Sequence, residues 1–150
     1  AMKVTPPAVA TTSPIANFND GLLLLSAEWL AETAPPNGVA ELMTIWQVAD
    51  PEKIGPRVPP AYTTETVLFT QVLRPDGTIL AQADYLDAPS WNWQNGDIVV
   101  QIHQMYMPPE TAAGQYQTIV GVYEQRSGNR LIVMEDGQTF TTAPPLQIQP

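Results

Sequence analysis

The chain has 150 residues, of which 44% are hydrophobic and only 14% charged; that is enough for one domain whose core buries roughly 68–70% of the unfolded surface, and too few for two. Fifteen acidic side chains against six basic ones give a formal net charge of -9, which argues against non-specific nucleic-acid binding and against docking on anionic lipid. With no cysteine and one histidine, disulfide frameworks, thiolate nucleophiles, Cys-ligated metal sites and paired-histidine metal sites are excluded.

Ala1-Met2-Lys3 has no apolar stretch behind it and is not expected to be a signal peptide. An alanine before the methionine reads as a cloning scar ahead of a chosen start, and on that reading the chain is a piece of something longer. Pro6, Pro7 and Pro14 then stand among Thr, Ser, Ala and Val, a composition of extended linkers. Residues 1–15 are therefore expected to be a Pro/Thr-rich linker and residues 16–150 a folded domain. Leu22–Leu25 is the longest obvious apolar run, far short of the ~18–20 residues of a membrane span, so no membrane insertion of this segment is expected.

Alternation with period two dominates the rest. Leu22 to Leu30 reads as a strand with Leu23, Leu25, Ala27 and Trp29 on one face and Leu22 and Leu24 opening the other. Pro35-Pro36-Asn37-Gly38 supplies a turn. Glu41 to Val48 sets Leu42, Thr44, Trp46 and Val48 against Met43, Ile45 and Gln47. The stretch from Ala49 to Thr63 holds four prolines and reads as a long connection, because proline cannot donate to a sheet ladder.

A hairpin follows: Val67 to Leu73, the turn Pro75-Asp76-Gly77, then Ile79 to Asp84. Asn95-Gly96 opens a strand from Ile98 to Met107, which Pro108-Pro109 ends. Gln115 to Tyr123 alternates again, Ser127-Gly128-Asn129 turns the chain into Leu131–Met134, and Leu146 and Ile148 close a short last strand in a proline-interrupted tail. About eight strands at sandwich-like spacing predict an all-β fold: a single antiparallel β-sandwich, immunoglobulin-like or jelly-roll, with Leu23, Leu25, Trp29, Ile45, Phe69, Val120, Val122 and Leu131 contributing to the core.

The order Trp93-Gln94-Asn95-Gly96-Asp97, Pro108, Gly114-Gln115-Tyr116, Gly121-Val122-Tyr123 and Gly128-Asn129-Arg130-Leu131 resembles a known domain type. It is similar to the C-terminal β-sandwich domains of large bacterial membrane glycosyltransferases of the mannosyltransferase-like class. Arg74-Pro75-Asp76-Gly77 stands where those domains carry "PDG", and Thr44-Ile45-Trp46-Gln47 matches their tryptophan-bearing early strand. The resemblance runs from Phe18 to Met134, and its motifs are mostly turn and core residues. An acidic strand is expected from it where Gln101 and His103 stand. It implies a non-catalytic accessory domain, extracytoplasmic in the cell envelope, with the membrane portion of a parent protein as partner; no catalytic residue and no cofactor carries over.

Four groups of residues invite a functional reading beside a plain one. His103 is either catalytic, for which no Gly-x-Ser-x-Gly nucleophile motif speaks, or a half-buried or surface histidine. Asp84, Asp87 and Asp97 are either ligands of a cation such as Ca²⁺ or caps of their own turns. Fifteen acids make a glycosidase acid/base pair easy to imagine, and the sequence identifies none. Trp91 and Trp93, two apart, project to one side in extended chain; with Tyr85, Asn92 and Gln94 they form either a platform for a neutral carbohydrate or, through Trp93, a core plug. Three functions stay open: the accessory domain, a carbohydrate-binding module using Tyr85, Trp91, Asn92 and Trp93, and an enzyme with a dispersed active site.

Overall fold

The computed structural model describes residues 2–4, 13–54, 66–85, 92–125 and 127–150, with the side chains of 2–4 and 85 outside the description. Among them are nine strands: β1 (Met2–Val4), β2 (Ala16–Phe18), β3 (Leu22–Trp29), β4 (Val39–Val48), β5 (Thr66–Leu73), β6 (Ile79–Tyr85), β7 (Ile98–Tyr106), β8 (Gly114–Glu124) and β9 (Thr141–Ile148). A single turn of 3-10 helix, Pro51–Lys53, begins where Asp50 accepts a hydrogen bond from the Glu52 amide. Met2–Val4, inside the stretch expected as linker, pairs with the start of β7.

The strands form two antiparallel sheets, ordered β1-β7-β4-β3-β2 and β6-β5-β8-β9. The chain leaves the first sheet after β4, makes the β5–β6 hairpin in the second, returns beside β4 as β7, and crosses again to lie beside β5 as β8. That is the immunoglobulin order, with β3, β4, β7 in the places of A, B, E and β6, β5, β8, β9 in those of C′, C, F, G. The immunoglobulin-like alternative therefore holds over the jelly roll. A further mark of this fold is the tyrosine corner: Tyr116, at the start of β8, is buried and its hydroxyl donates to the Ala112 carbonyl at 2.7 Å.

The inward faces differ from expectation in one sheet. On β3, Leu22 and Leu24 are fully buried while Leu23 and Leu25 are half-exposed. On β4, Trp46 is buried and Ile45 turns outward. A run of four leucines is apolar on both faces, so alternation cannot orient it; pairing does, setting Leu22 opposite Val48 and Leu24 opposite Trp46. A register shift between Leu24 and Ser26 then brings Ala27 and Trp29 to the inner side, opposite Thr44 and Leu42. Trp29 stays half-buried and donates its indole N–H to the Pro144 carbonyl at 2.7 Å.

Val120, Val122 and Leu131 are buried as expected. Phe69 is also buried, yet on the outer face of its sheet, where it lies opposite Gly121 and beneath the Arg130 guanidinium, 4.7 Å from the ring centre. Leu131–Met134 is not a separate strand but part of a strap. Leu131 N donates to Val122 O at 2.9 Å, and then Asn19 N donates to Ile132 O and Met134 N to Asn17 O, both at 2.8 Å. The strap thus runs from β8 across to the edge of β2, burying Leu131 and Val133 in the gap between the sheets. The last strand is longer than expected, and it keeps Pro144 and Pro145 because it is an edge strand whose pairing shifts between Tyr116 and Thr118.

The topology sorts the connections by length. Those after β4 (49–65), β6 (86–97) and β8 (125–140) all leave from one end of the sandwich, where Glu124 lies opposite Thr66, Tyr85 opposite Leu68 and Ile98 opposite Gln47. The shorter turns 74–78 and 107–113 lie at the other end.

Candidate functional site

In immunoglobulin-like sandwiches the connections at one end form the recognition surface of variable domains, and here the strand ends from which the long connections leave share one end of the sandwich. A cavity of about 310 Å³ opens at that end, lined by Asn19, Glu52, Lys53, Glu124, Ser127, Asn129 and Arg130 above Ile54 and Leu131. Each wall is fixed by its own local bonds. Asn19 and Asp20 both have φ of 58°, a left-handed conformation that Asn and Asp tolerate better than most residues. The Asn17 side chain receives the Asp20 amide at 2.9 Å, and Asn19 Oδ1 receives the Ile132 amide at 2.8 Å. Glu124, almost wholly buried, accepts from the Ser127 amide at 2.9 Å and from the Ser127 hydroxyl. Two carboxylates, two cations, two amides and a hydroxyl make this a polar cavity suited to a ligand rich in hydroxyl groups.

Beside it, on the outer face of the β6-β5-β8-β9 sheet, the Tyr123 hydroxyl donates to Asp84 Oδ2 at 3.3 Å. Partial burial raises the Tyr123 phenol above its ordinary pKa, and the Asp84 charge and hydrogen bond add to the shift against the opposing pull of Arg130. A second cavity, of about 430 Å³, lies at the short-turn end between Arg74, Pro75, Leu80, Pro108, Glu110, Thr111 and Tyr116. Its walls are tied turns: Arg74 Nη1 donates to Ile79 O at 2.7 Å and the Thr111 hydroxyl to Pro108 O at 2.7 Å. Asp76 accepts from the Thr78 hydroxyl at 2.6 Å and its amide at 3.0 Å, which hold the Asp76 carboxyl below the ordinary aspartate value.

Of the residues singled out from the sequence, the structure describes the side chains of Asp84, Asn92, Trp93, Asp97 and His103. Trp93 is fully buried in the core, and its indole N–H has no hydrogen-bond partner among the described residues. Asn92 is exposed next to it, the Tyr85 backbone ends β6 opposite Leu68, and Trp91 and Asp87 lie outside the described residues. Asp97 caps its turn by accepting from the Gln94 amide at 2.8 Å, while Asp84 holds Tyr123. No group of three metal-ligating side chains occurs among the described residues.

His103 is neither on the surface nor half-buried. It lies wholly inside the sandwich with Gln101, and its Nε2 is 2.9 Å from Thr44 Oγ1, which also accepts the Trp46 indole N–H at 2.8 Å. The reason is the alternation of β7, whose Val99, Gln101, His103 and Met105 face inward. Alternation from Glu41 to Val48 puts Thr44 and Trp46 on one face, and nothing in the order of residues shows that this face meets that of β7 in the interior. The convergence of Asn19, Lys53 and Arg130 on one cavity likewise has no signal in their spacing.

No protein-family model matches the chain, and neither does any curated protein.

Proposed function

We propose that this chain is a non-catalytic accessory module, carried on the extracytoplasmic side as an appendage of a membrane-bound glycosyltransferase. The observation that carries this reading is how the residues of the resemblance are employed. Trp93 and Leu131 fill the core, Tyr116 ties the corner, Gly121 makes room for Phe69 and Arg130 covers that ring. Asn95-Gly96 and Pro75-Asp76-Gly77 form turns whose glycines have φ of 92° and 88°. Residues spent on turns and packing specify a scaffold, which is what an appended domain shares with its relatives. Fractionation of cells followed by protease treatment from the outer side tests the placement. Digestion of this domain in intact spheroplasts is the expected result; recovery in the cytoplasmic fraction, or sugar transfer or hydrolysis by the purified domain, overturns the proposal.

A second reading, carbohydrate binding, is favoured by the polar cavity at the long-connection end. Its amide, hydroxyl and charged groups match the hydroxyls of a neutral glycan, and Asn92 is exposed on a connection that leaves from the same end. Titration with neutral oligosaccharides and polyprenyl-linked sugars, read by tryptophan fluorescence and by nuclear magnetic resonance shifts at Asn19 and Asn129, tests it. Binding in so open a site is expected at millimolar to micromolar strength, about -4 to -8 kcal/mol. Absence of any shift across the panel removes this reading and leaves the first untouched.

A further inference from the structure

The interior of the sandwich carries a belt of polar side chains. Thr44, Gln101 and His103 on one sheet and Thr70 and Thr118 on the other are all at most 1% exposed. The hydroxyls of Thr70 and Thr118 and the Oε1 of Gln101 have no hydrogen-bond partner among the described residues. Gln101 uses its amide nitrogen on Ile102 O at 3.0 Å, so its carbonyl oxygen is the end left to be satisfied.

Register brings the two threonines together. Thr70 lies opposite Val120 and Thr118 opposite Val72 on the same inward face, which makes them diagonal neighbours. Diagonal Cα atoms are roughly 7–8 Å apart, a separation suited to one oxygen placed between two hydroxyls. β7, which carries Gln101, packs over β5 and β6 from the other sheet. Buried polar atoms in folded proteins are nearly always paired, and ordered water is the usual partner where side chains are not, at about one buried water per 27 residues.

We propose that a water molecule buried on the inner face of the β6-β5-β8-β9 sheet bridges the hydroxyls of Thr70 and Thr118. Antibody-type domains pin their sheets with a disulfide between the B and F strands. This chain has no cysteine, and Thr118 stands on the strand in the F position. The water then ties neighbouring strands of one sheet, β5 and β8, inside a core that has no disulfide. The inference is independent of the function proposed above.

Two measurements on the chain test it. In the unaltered protein, long-lived water is expected to give nuclear Overhauser cross-peaks to the methyl protons of Thr70 and Thr118. Val is nearly isosteric with Thr, so Thr70→Val or Thr118→Val removes one of the water's partners without opening a cavity. Each is expected to lower Tm by about 2–4 °C, the shift typical of one lost hydrogen bond at this chain length. The double variant is expected to lose less than the sum, because both hydroxyls serve one water. A dry belt predicts the reverse: valine relieves an orphaned hydroxyl and Tm rises. The cross-peaks decide; their absence overturns the proposal whatever the variants do.

Discussion

Gly121 and Phe69 face one another across β5 and β8 so closely that a Cβ on the glycine would lie 2.3 Å from the ring carbons Cε2 and Cζ. The aromatic ring occupies the space that any side chain at 121 would need. It is held there from above by Arg130 and flanked by Tyr123, whose ring centre is 6.1 Å away. Gly121→Ala is expected to destabilise the domain by about 1–3 kcal/mol through overpacking. Chemical denaturation measures the loss, and Phe69→Leu in the same chain is expected to restore part of it by withdrawing the ring edge.

Thr44 is the hub of the inner polar group, accepting the Trp46 indole N–H and meeting His103 Nε2. Thr44→Val leaves a buried indole donor without its acceptor, at a cost of about 1–3 kcal/mol. Thr44→Ser keeps the oxygen and is expected to recover most of that. Equal unfolding midpoints for the Val and Ser variants would show that the hydroxyl contributes nothing.

The tyrosine corner makes a narrower prediction. Tyr116→Phe removes only the hydroxyl that reaches Ala112 O, and preserves the ring in the core. A loss of about 1 kcal/mol is expected, with no change in the cooperativity of unfolding. Amide hydrogen exchange is expected to rise in the segment from Thr111 to Gly114, which the bond ties down.

Tyr123 predicts an alkaline dependence. Its folded-state pKa is raised by burial first and by Asp84 second, so the folded chain holds the phenolic proton more tightly than the unfolded one. The stabilisation is fully present below the ordinary tyrosine value near ~10 and is lost as pH rises from there through the folded pKa. Phenolate absorbance followed against pH is expected to include a late fraction that Tyr123→Phe removes. Asp84→Asn is expected to move the Tyr123 step to lower pH.

Much of the fold was written in the order of residue types. Alternation marked β3 to β8 as strands, and Pro75-Asp76-Gly77 and Asn95-Gly96 marked turns because only certain residues accept their backbone angles. Those are local preferences, and they suffice for strands, turns and the all-β class. What only the tertiary structure decided is non-local. Leu22 to Leu25 is apolar on both faces, so its inward side followed from pairing with β4 and from the bulge after Leu24. Phe69 became a buried residue on an outer face only because the strap from Asn129 to Leu131 folds back over that sheet. Ends were decided the same way: strands far apart in sequence run antiparallel in two sheets, which brings the described residues Asn19, Lys53 and Arg130 to one cavity. Of the aromatic pair, Trp93 went to the core because its place just before the Asn95-Gly96 turn lies over the end of the sheets. The polar interior is the same lesson at the scale of single atoms. Thr44, Thr70, Gln101, His103 and Thr118 look like surface residues by type, and they are buried because their apolar strand neighbours fix the register that carries them inside.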